Sequence, residues 1–317
     1  MINPTKIHII VNELSGSGNG KKVSTALITL LNKKKIDFNL YPSQYAGHTI
    51  QLAANLSNEK NINFTTKKYL LLIVGGDGTL HEALTGLGEE QKHIPLAYIP
   101  AGSGNDFAKG LTISKNVTEA LEQILNCKEP KKIDILHFYE SFSNETGYAV
   151  NNIGVGFDAA TVKYANLSTI KKKLNTIKMG SLTYVVSLII VLFKQKGFPI
   201  EVKVDNVRLI FPKAFLVTVN NHPYFGGGIG ISPKASPYDN CIDLIVLQKV
   251  SVFKIIFLFI LLLSGGRHLN HKDVHYLKGT HIEILSNQLA DVQADGEFLG
   301  GKSVNLSIQS SIRYFWI

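Results

Sequence analysis

The chain has 317 residues, 45% of them apolar, with 33 Lys and Arg against 24 Asp and Glu and a net charge of +9. That length outgrows a single hydrophobic core and points to two domains. Two distant cysteines, Cys127 and Cys241, exclude a disulfide framework and indicate a reducing, cytoplasmic compartment, while the positive surplus favours anionic partners: nucleotides, nucleic acid or an anionic membrane surface.

The opening MINPTKIHIIV has no charged segment followed by an apolar one, so no signal peptide is expected. Lys6–Val11 reads as a buried strand, and Asn12–Gly20 follows it as a glycine-rich turn. Val23–Leu31 reads as a helix ending in the solvated Lys33-Lys34-Lys35, Phe38–Tyr41 as a strand and Thr49–Ser57 as a helix. Leu70–Val74 is apolar without alternation, as in a strand buried on both faces of a parallel sheet. Gly75-Gly76-Asp77-Gly78-Thr79 breaks that run, and Leu80, Ala83, Leu84 and Leu87 resume it at helical spacing. Leu96–Ile99 is a further strand, followed by the turn Pro100–Phe107, and the helix Thr118–Leu125 closes the first domain.

After Lys131 the pattern changes. Lys132–Phe138, Gly147–Phe157, Ile200–Val204, Ala214–Asn220 and Ile242–Val246 are short strand-like runs separated by Gly, Pro and Asn, which predicts an antiparallel sheet or sandwich. Two helical stretches interrupt it: Ala159–Lys196, with the basic Lys171, Lys172, Lys173 and Lys178, and Val252–Gly265. The apolar runs Thr183–Phe193 and Val252–Leu263 fall short of the roughly 20 residues a spanning helix needs, so they are expected to be buried helices, with a membrane-contacting surface as the alternative. His268 and His271 lack a clear third ligand nearby, and no metal is expected there. Tyr224–Gly228 reads as a loop with a flexible or packing role. Asp291–Gly301 reads as a hairpin with an acidic turn.

The chemistry concentrates at three strand ends. In a parallel sheet those carboxyl ends share one edge, where ligands bind. Gly/Ser/Asn-rich turns there, backed by a helix N-terminus, present amide groups to a phosphate. A GGDG run alone is equally compatible with a tight turn bearing a surface aspartate; three converging loops are stronger evidence. Asp77 is the odd residue, because a carboxylate among phosphate-binding amides implies a cation or a proton-transfer task.

Gly75–Leu84 (GGDGTLHEAL) and Ile99–Leu111 (IPAGSGNDFAKGL), completed by Asp295-Gly296-Glu297, resemble the bacterial soluble diacylglycerol kinases, lipid kinases built on the diacylglycerol kinase catalytic domain. The resemblance covers essentially the whole chain in order. It implies an α/β plus β fold: a Rossmann-like nucleotide-binding domain over residues 1–131, to which 303–317 return, and a β-sandwich lipid-substrate domain over 132–302, with the active site in the cleft between them. It implies ATP contacts from Asn12, Glu13, Leu14, Ser15, Gly16, Ser43, Gly76, Asp77, Gly78, Thr79, Leu80, His81, Glu82 and Ser103, and support of the phosphates or Mg2+ by Asn105 and Asp106. Glu297 would be the proton acceptor, and a structural magnesium would sit in the loop Tyr238–Asp243, on Asp239, Asn240 and Ile242, with some ligands from the backbone.

The implied activity is transfer of the ATP γ-phosphate to a lipid hydroxyl, diacylglycerol giving phosphatidic acid, in phospholipid biosynthesis. The chemistry agrees: phosphoryl transfer needs positioning, a magnesium ion on the phosphates, held here by Asp77 and Asp106, and a base, for which Glu297 and Asp77 both remain open. Peripheral contact with an anionic membrane is implied, no nucleic-acid partner is expected, and homodimer formation is left open. Three departures stand out: Asn12-Glu13 replaces a common Asn-Pro, Ser17 stands where some members have Lys (with Lys21 and Lys22 close by), and Asp239-Asn240-Cys241 replaces Asp-Asp-Gly, removing a charge from the metal loop. The rival readings are a kinase similar to the NAD kinases acting on a soluble acceptor, which lack the GSGNDFA stretch, and a non-catalytic protein binding anionic lipid or nucleic acid, against which the intact Asp77, Asp106 and Glu297 argue.

Overall fold

Lys6–Val11 (β1) and Tyr69–Gly75 (β3) lie side by side, parallel, in the register Ile9↔Leu72, and are buried along almost their whole length. Both faces are covered, which is why neither strand alternates in polarity. The computed structural model to which they belong describes residues 4–142, 144–167 and 191–317. The chain divides into two compact units: Met1–Ile135 with Tyr224–Gly228 and Ser311–Ile317, and Leu136–Pro223 with Ile229–Ser310.

In the first unit, Asp37–Pro42 (β2) and Leu96–Pro100 (β4) complete the parallel order β4-β3-β1-β2. The helices are Ser15–Lys34 (α1), His48–Ser57 (α2), Asp77–Leu87 (α3), Asp106–Gly110 (α4) and Val117–Asn126 (α5). The chain end returns to this sheet: Phe315 and Trp316 pair in parallel with Leu96 and Ala97 of β4. Trp316 is buried in the same core as Ile9, Leu27, Leu72, Ile99 and Ile124. α1 begins eight residues before the expected Val23. Gly16, Ser17 and Gly18 interrupt it at φ 58°, 58° and 91°, so its first residues form a glycine-rich loop and the regular helix follows.

The second unit is antiparallel. Its strands are β5 (Lys131–Glu140, from Leu136 onward), β6 (Glu145–Ala149), β7 (Asn152–Gly156), β8 (Phe198–Val204), β9 (Val207–Asn220), β10 (Ile242–Gln248), β11 (Val274–Gly279), β12 (His281–Ala294) and β13 (Glu297–Trp316, as far as Ser310). The long strands β9 and β12 each pair with β8 at one end and β7 at the other. β9 starts seven residues before the expected Ala214, and its pairing with β8 shifts between Phe211 and Ala214, around Pro212. A proline without a ladder donor is tolerated at such an irregularity. Ile153, Val217, Ile284 and Leu306 are among the residues that form its core.

Helical segments of this unit include Phe157–Leu167 (α6), Val252–Leu263 (α7) and the short 3-10 turn Arg267–Asn270, and residues 191–194 are helical as well. Lys171, Lys172, Lys173 and Lys178, and Thr183–Phe193 as far as residue 190, lie outside the described residues. α7 departs from the expected buried helix, since Leu258 is its one fully buried residue. No helix among the described residues is long and apolar enough to cross a membrane.

Candidate active site

The three glycine-rich turns meet at the carboxyl ends of β1, β3 and β4. Asn12 ties the first two together: its Oδ1 accepts from Leu14 N–H at 3.1 Å and its Nδ2 donates to Thr79 Oγ1 at 3.3 Å. Ser15 Oγ accepts from Gly76 N–H at 3.2 Å, and Asn19 Nδ2 reaches Ala101 O at 3.3 Å. Gly76 and Gly102 pass so closely that a Cβ on Gly102 would lie 2.6 Å from Gly76 Cα. Only glycine allows that approach. Asn105, at φ 56°, locks the third turn by accepting from Gly102 N–H and donating to Gly102 O, both at 2.8 Å.

α3 starts at Asp77, and its N-cap, Gly76, offers no side-chain cap. The helix dipole and first-turn amides make such an end an anion site. Leu80 and His81 are buried within α3, and Leu80 N–H is engaged with Gly76 O, so these two hold the helix on the sheet. Glu82 reaches across to α2, accepting from Gly47 N–H at 2.8 Å. Ser43 follows β2 and donates its N–H to Val11 O at 2.7 Å. Glu13, Gly16 and Gly78 are partly exposed on these turns, and Leu14 and Ser103 are exposed.

Two carboxylates are chained through backbone amides. Asp77 Oδ2 accepts from Asp106 N–H at 2.9 Å, and Asp106 Oδ2 accepts from Gly227 N–H at 2.8 Å. Gly227 belongs to Tyr224–Gly228, the stretch whose role the sequence left unread. Gly226, Gly227 and Gly228 all have positive φ, Lys109 Nζ donates to Gly228 O at 2.9 Å, and the same ammonium lies 4.0 Å from the centre of the Tyr224 ring. The readable signal was the run of three glycines. Asp77 and Asp106 are hard oxygen donors held side by side, a set that fits magnesium, which uses one or two carboxylates plus substrate phosphates.

In the second unit, Glu297 is exposed at the start of β13. Ala294 pairs with Glu297 across Asp295-Gly296, whose φ values of 50° and 83° suit a type I′ hairpin turn. Asp295 is no ordinary turn residue. Its carboxylate accepts from the N–H groups of Val150, Asn151 and Asn152 at 2.7, 2.7 and 3.2 Å. Gln293 Oε1 accepts from Gly296 N–H at 2.7 Å, and its Nε2 donates to the buried Asp158 at 2.6 Å. Asn152 Nδ2 donates to the same Asp158 oxygen at 3.1 Å and to Thr218 Oγ1 at 3.1 Å. Burial pushes the Asp158 carboxyl up to about 6, against the two amide donors. His222, fully buried, shares a 2.7 Å hydrogen bond with Asn151 Oδ1, and burial lowers its pKa to about 4, with Asp295 opposing. None of this buried network was anticipated. Its signal was the polar residues inside strand runs, Asn151-Asn152 and Asn220-Asn221-His222.

The loop expected to hold a structural magnesium carries an ion pair on its first acid. Asp239 Oδ1 accepts from Cys241 N–H at 3.1 Å, and its Oδ2 meets the Lys278 ammonium at 2.6 Å, an interaction that raises the Lys278 pKa. Asn240 is neutral at φ 56°, and Ile242 is buried in the sheet core. Asp243 is buried with Tyr276 O–H on its Oδ1, and burial raises its pKa; its Oδ2 has no hydrogen-bond partner. Among the side chains this leaves one buried oxygen and one carboxylate already neutralised by an ammonium, so a near-octahedral magnesium shell here calls for backbone carbonyls as well.

Residues 6–138 match the family described as "Diacylglycerol kinase catalytic domain", and residues 151–312 match "YegS C-terminal NAD kinase beta sandwich-like domain". The Bacillus subtilis protein "Putative lipid kinase YtlR" is 27% identical over 95% of this chain and 96% of its own length. "Diacylglycerol kinase" of Staphylococcus saprophyticus is 26% identical over 94% and 90%. The fold is similar to that titled "A putative diacylglycerol kinase from Bacillus anthracis str. Sterne", with a TM-score of 0.73 at 20% identity over 97% of this chain and 94% of that one. The chain therefore belongs to the lipid kinase family that joins a diacylglycerol kinase catalytic domain to a β-sandwich-like domain, and it is an ATP-dependent kinase of that family.

Proposed function

We propose that this kinase phosphorylates the free hydroxyl of diacylglycerol, giving phosphatidic acid and ADP. The observation that carries this reading is the end-to-end match to relatives named diacylglycerol kinase by a chain whose turns at β1, β3 and β4 interlock around Asp77 and Asp106. Asn12–Gly16, Gly76–Thr79 and Ser103 form the nucleotide-binding surface, through backbone amides at the phosphates, and Ser43, Leu80, His81 and Glu82 hold these turns and their helix in place. Asp77 and Asp106 hold Mg2+, which when bound offsets charge on the β- and γ-phosphates. Asn105 and Gly102 keep the third turn in shape. The acceptor oxygen attacks the γ-phosphorus, the bond to the ADP oxygen breaks, and the hydroxyl proton passes to the Glu297 carboxylate.

Two features support Glu297 as the base: it is exposed, and its turn is fixed by Asp295 and Gln293 rather than left to fray. The lipid acceptor calls for peripheral contact with an anionic membrane, which the net charge of +9 supports. Labelled ATP offered with vesicles of diacylglycerol, sphingosine or phosphatidylglycerol, and separately with NAD, tests the acceptor. Label in phosphatidic acid is the expected result. Label confined to another lipid or to NAD overturns the assignment.

A further inference from the structure

α7 is a 12-residue helix, VFKIIFLFILLL, in which eleven residues are apolar. A helix apolar all round belongs in a core or against a membrane. Among the described residues, Leu258 is buried, Val252 and Ile255 rest on the cluster of Leu192, Phe215 and Leu216, and the Phe257 ring meets His271 edge-on. The opposite side is open. Phe253 is 86% exposed, and Ile256, Phe257, Ile260 and Leu263 follow it at spacings of three and four, each about half exposed or more. Large contiguous apolar patches on a protein surface mark an interaction site.

We propose that α7 is a membrane-docking helix that lies in the headgroup region of an anionic bilayer with Phe253, Phe257 and Ile260 inserted. Charge selects this occupant. Residues 191–196 and 249–273 contain Lys194, Lys196, Lys249, Lys254, Arg267 and Lys272 against a single acid, Asp273. Lys254, the one charge within the helix, is paired with Asp273, which lets the helix body stay apolar. An excess of cations in the segments that flank an apolar helix complements anionic headgroups above acyl chains. A second copy docked on the same face by two-fold symmetry would bring those cations against themselves. At 1.5 Å per residue the helix is about 18 Å long, too short to span and suited to lying flat.

The docking face deepens the lipid-kinase reading and rests on it for its purpose, but its test is independent of turnover. The chain has one tryptophan, Trp316, and it is buried. Phe253→Trp therefore places a reporter on the exposed face over a constant background. Without lipid its added emission should be that of an exposed indole. Phosphatidylglycerol-containing vesicles, with no nucleotide present, should shift it to the blue, and brominated acyl chains should quench it. Phe253→Ser with Ile260→Ser, checked for an unchanged melting temperature, should reduce vesicle sedimentation by more than about tenfold. Salt should weaken binding by a smaller factor. Blue emission before lipid is added would show that the chain covers its own helix. Loss of a dimer in the double variant would assign the face to a second copy. Full sedimentation without a spectral change would place membrane contact elsewhere. Each of these three results overturns the proposal, whether or not diacylglycerol is the acceptor.

Discussion

The glycine-rich turns of the first unit and the Glu297 turn of the second are held in shape by different means. In the first, the groups proposed to meet the phosphates are backbone amides, each set on a contiguous glycine-rich turn such as Gly102–Asn105, while side chains such as Asn12 and Ser15 tie one turn to the next. In the second, one exposed carboxylate stands on a hairpin whose rigidity comes from Asp295, Gln293, Asp158 and Asn152, which are scattered across the chain and mostly buried. A site made of main chain leaves a contiguous motif, whereas one made of buried side chains leaves isolated polar residues in apolar strands. The two should also fail differently, the first in chemistry and the second in stability and pH dependence.

The largest effect is expected from Asp77→Asn. The amide oxygen can still accept from Asp106 N–H, so the turns and the fold should survive, while the charge is lost. Turnover should fall by about 10²-fold or more with the melting temperature nearly unchanged. Near-wild-type turnover at saturating Mg2+ would remove Asp77 from the mechanism.

A smaller, signed effect concerns Asp158 and His222. The folded Asp158 titrates near 6 against 3.8 for an ordinary aspartate, so its stabilising contribution is full below about pH 4 and is lost as pH rises through 6. His222 titrates near 4 against 6.5, so its contribution is full above 6.5 and is lost as pH falls toward 4. Each slope amounts to about 3 kcal/mol, and the two oppose one another over nearly the same window. Denaturant unfolding of the wild type should therefore show little net pH dependence from this pair. Asp158→Asn should become less stable on acidification from pH 6.5 to 4, and His222→Gln more stable. Parallel slopes in both variants would mean that these groups do not titrate as their surroundings indicate.

The smallest effect is expected at Lys278. Its pair with Asp239 is about one-third exposed on both sides, so Lys278→Met should cost no more than about 1 kcal/mol. Without nucleotide, Mg2+ should leave the wild-type melting temperature unchanged. A Mg2+-dependent rise abolished by Asp239→Asn would restore a metal to that loop.

Much of the first unit could be read in advance because strands buried on both faces, glycine turns and helical spacing are local features. β1, β3 and β4 lie where their apolar runs placed them, and the hairpin around Asp295-Gly296 follows its turn chemistry. Tyr224–Gly228 escaped because its service to Asp106 is an N–H from a glycine, which no side chain announces. The exposure of α7 escaped because a helix without a polar face gives no phase from which to tell packed from open sides. The early start of β9 was hidden by Pro212, which looks like a strand end and marks an irregularity in the pairing instead.

The assignment of the base is tested most directly by Glu297→Gln, which keeps the shape of the side chain and removes its basicity. Asp295, Gly296 and Gln293 would still hold the turn, so the variant should fold and bind ATP as the wild type does. The kcat for lipid phosphorylation should fall by about 10²–10⁴-fold with the ATP dissociation constant nearly unchanged. Turnover that survives on folded protein would contradict this account and move the base to Asp77.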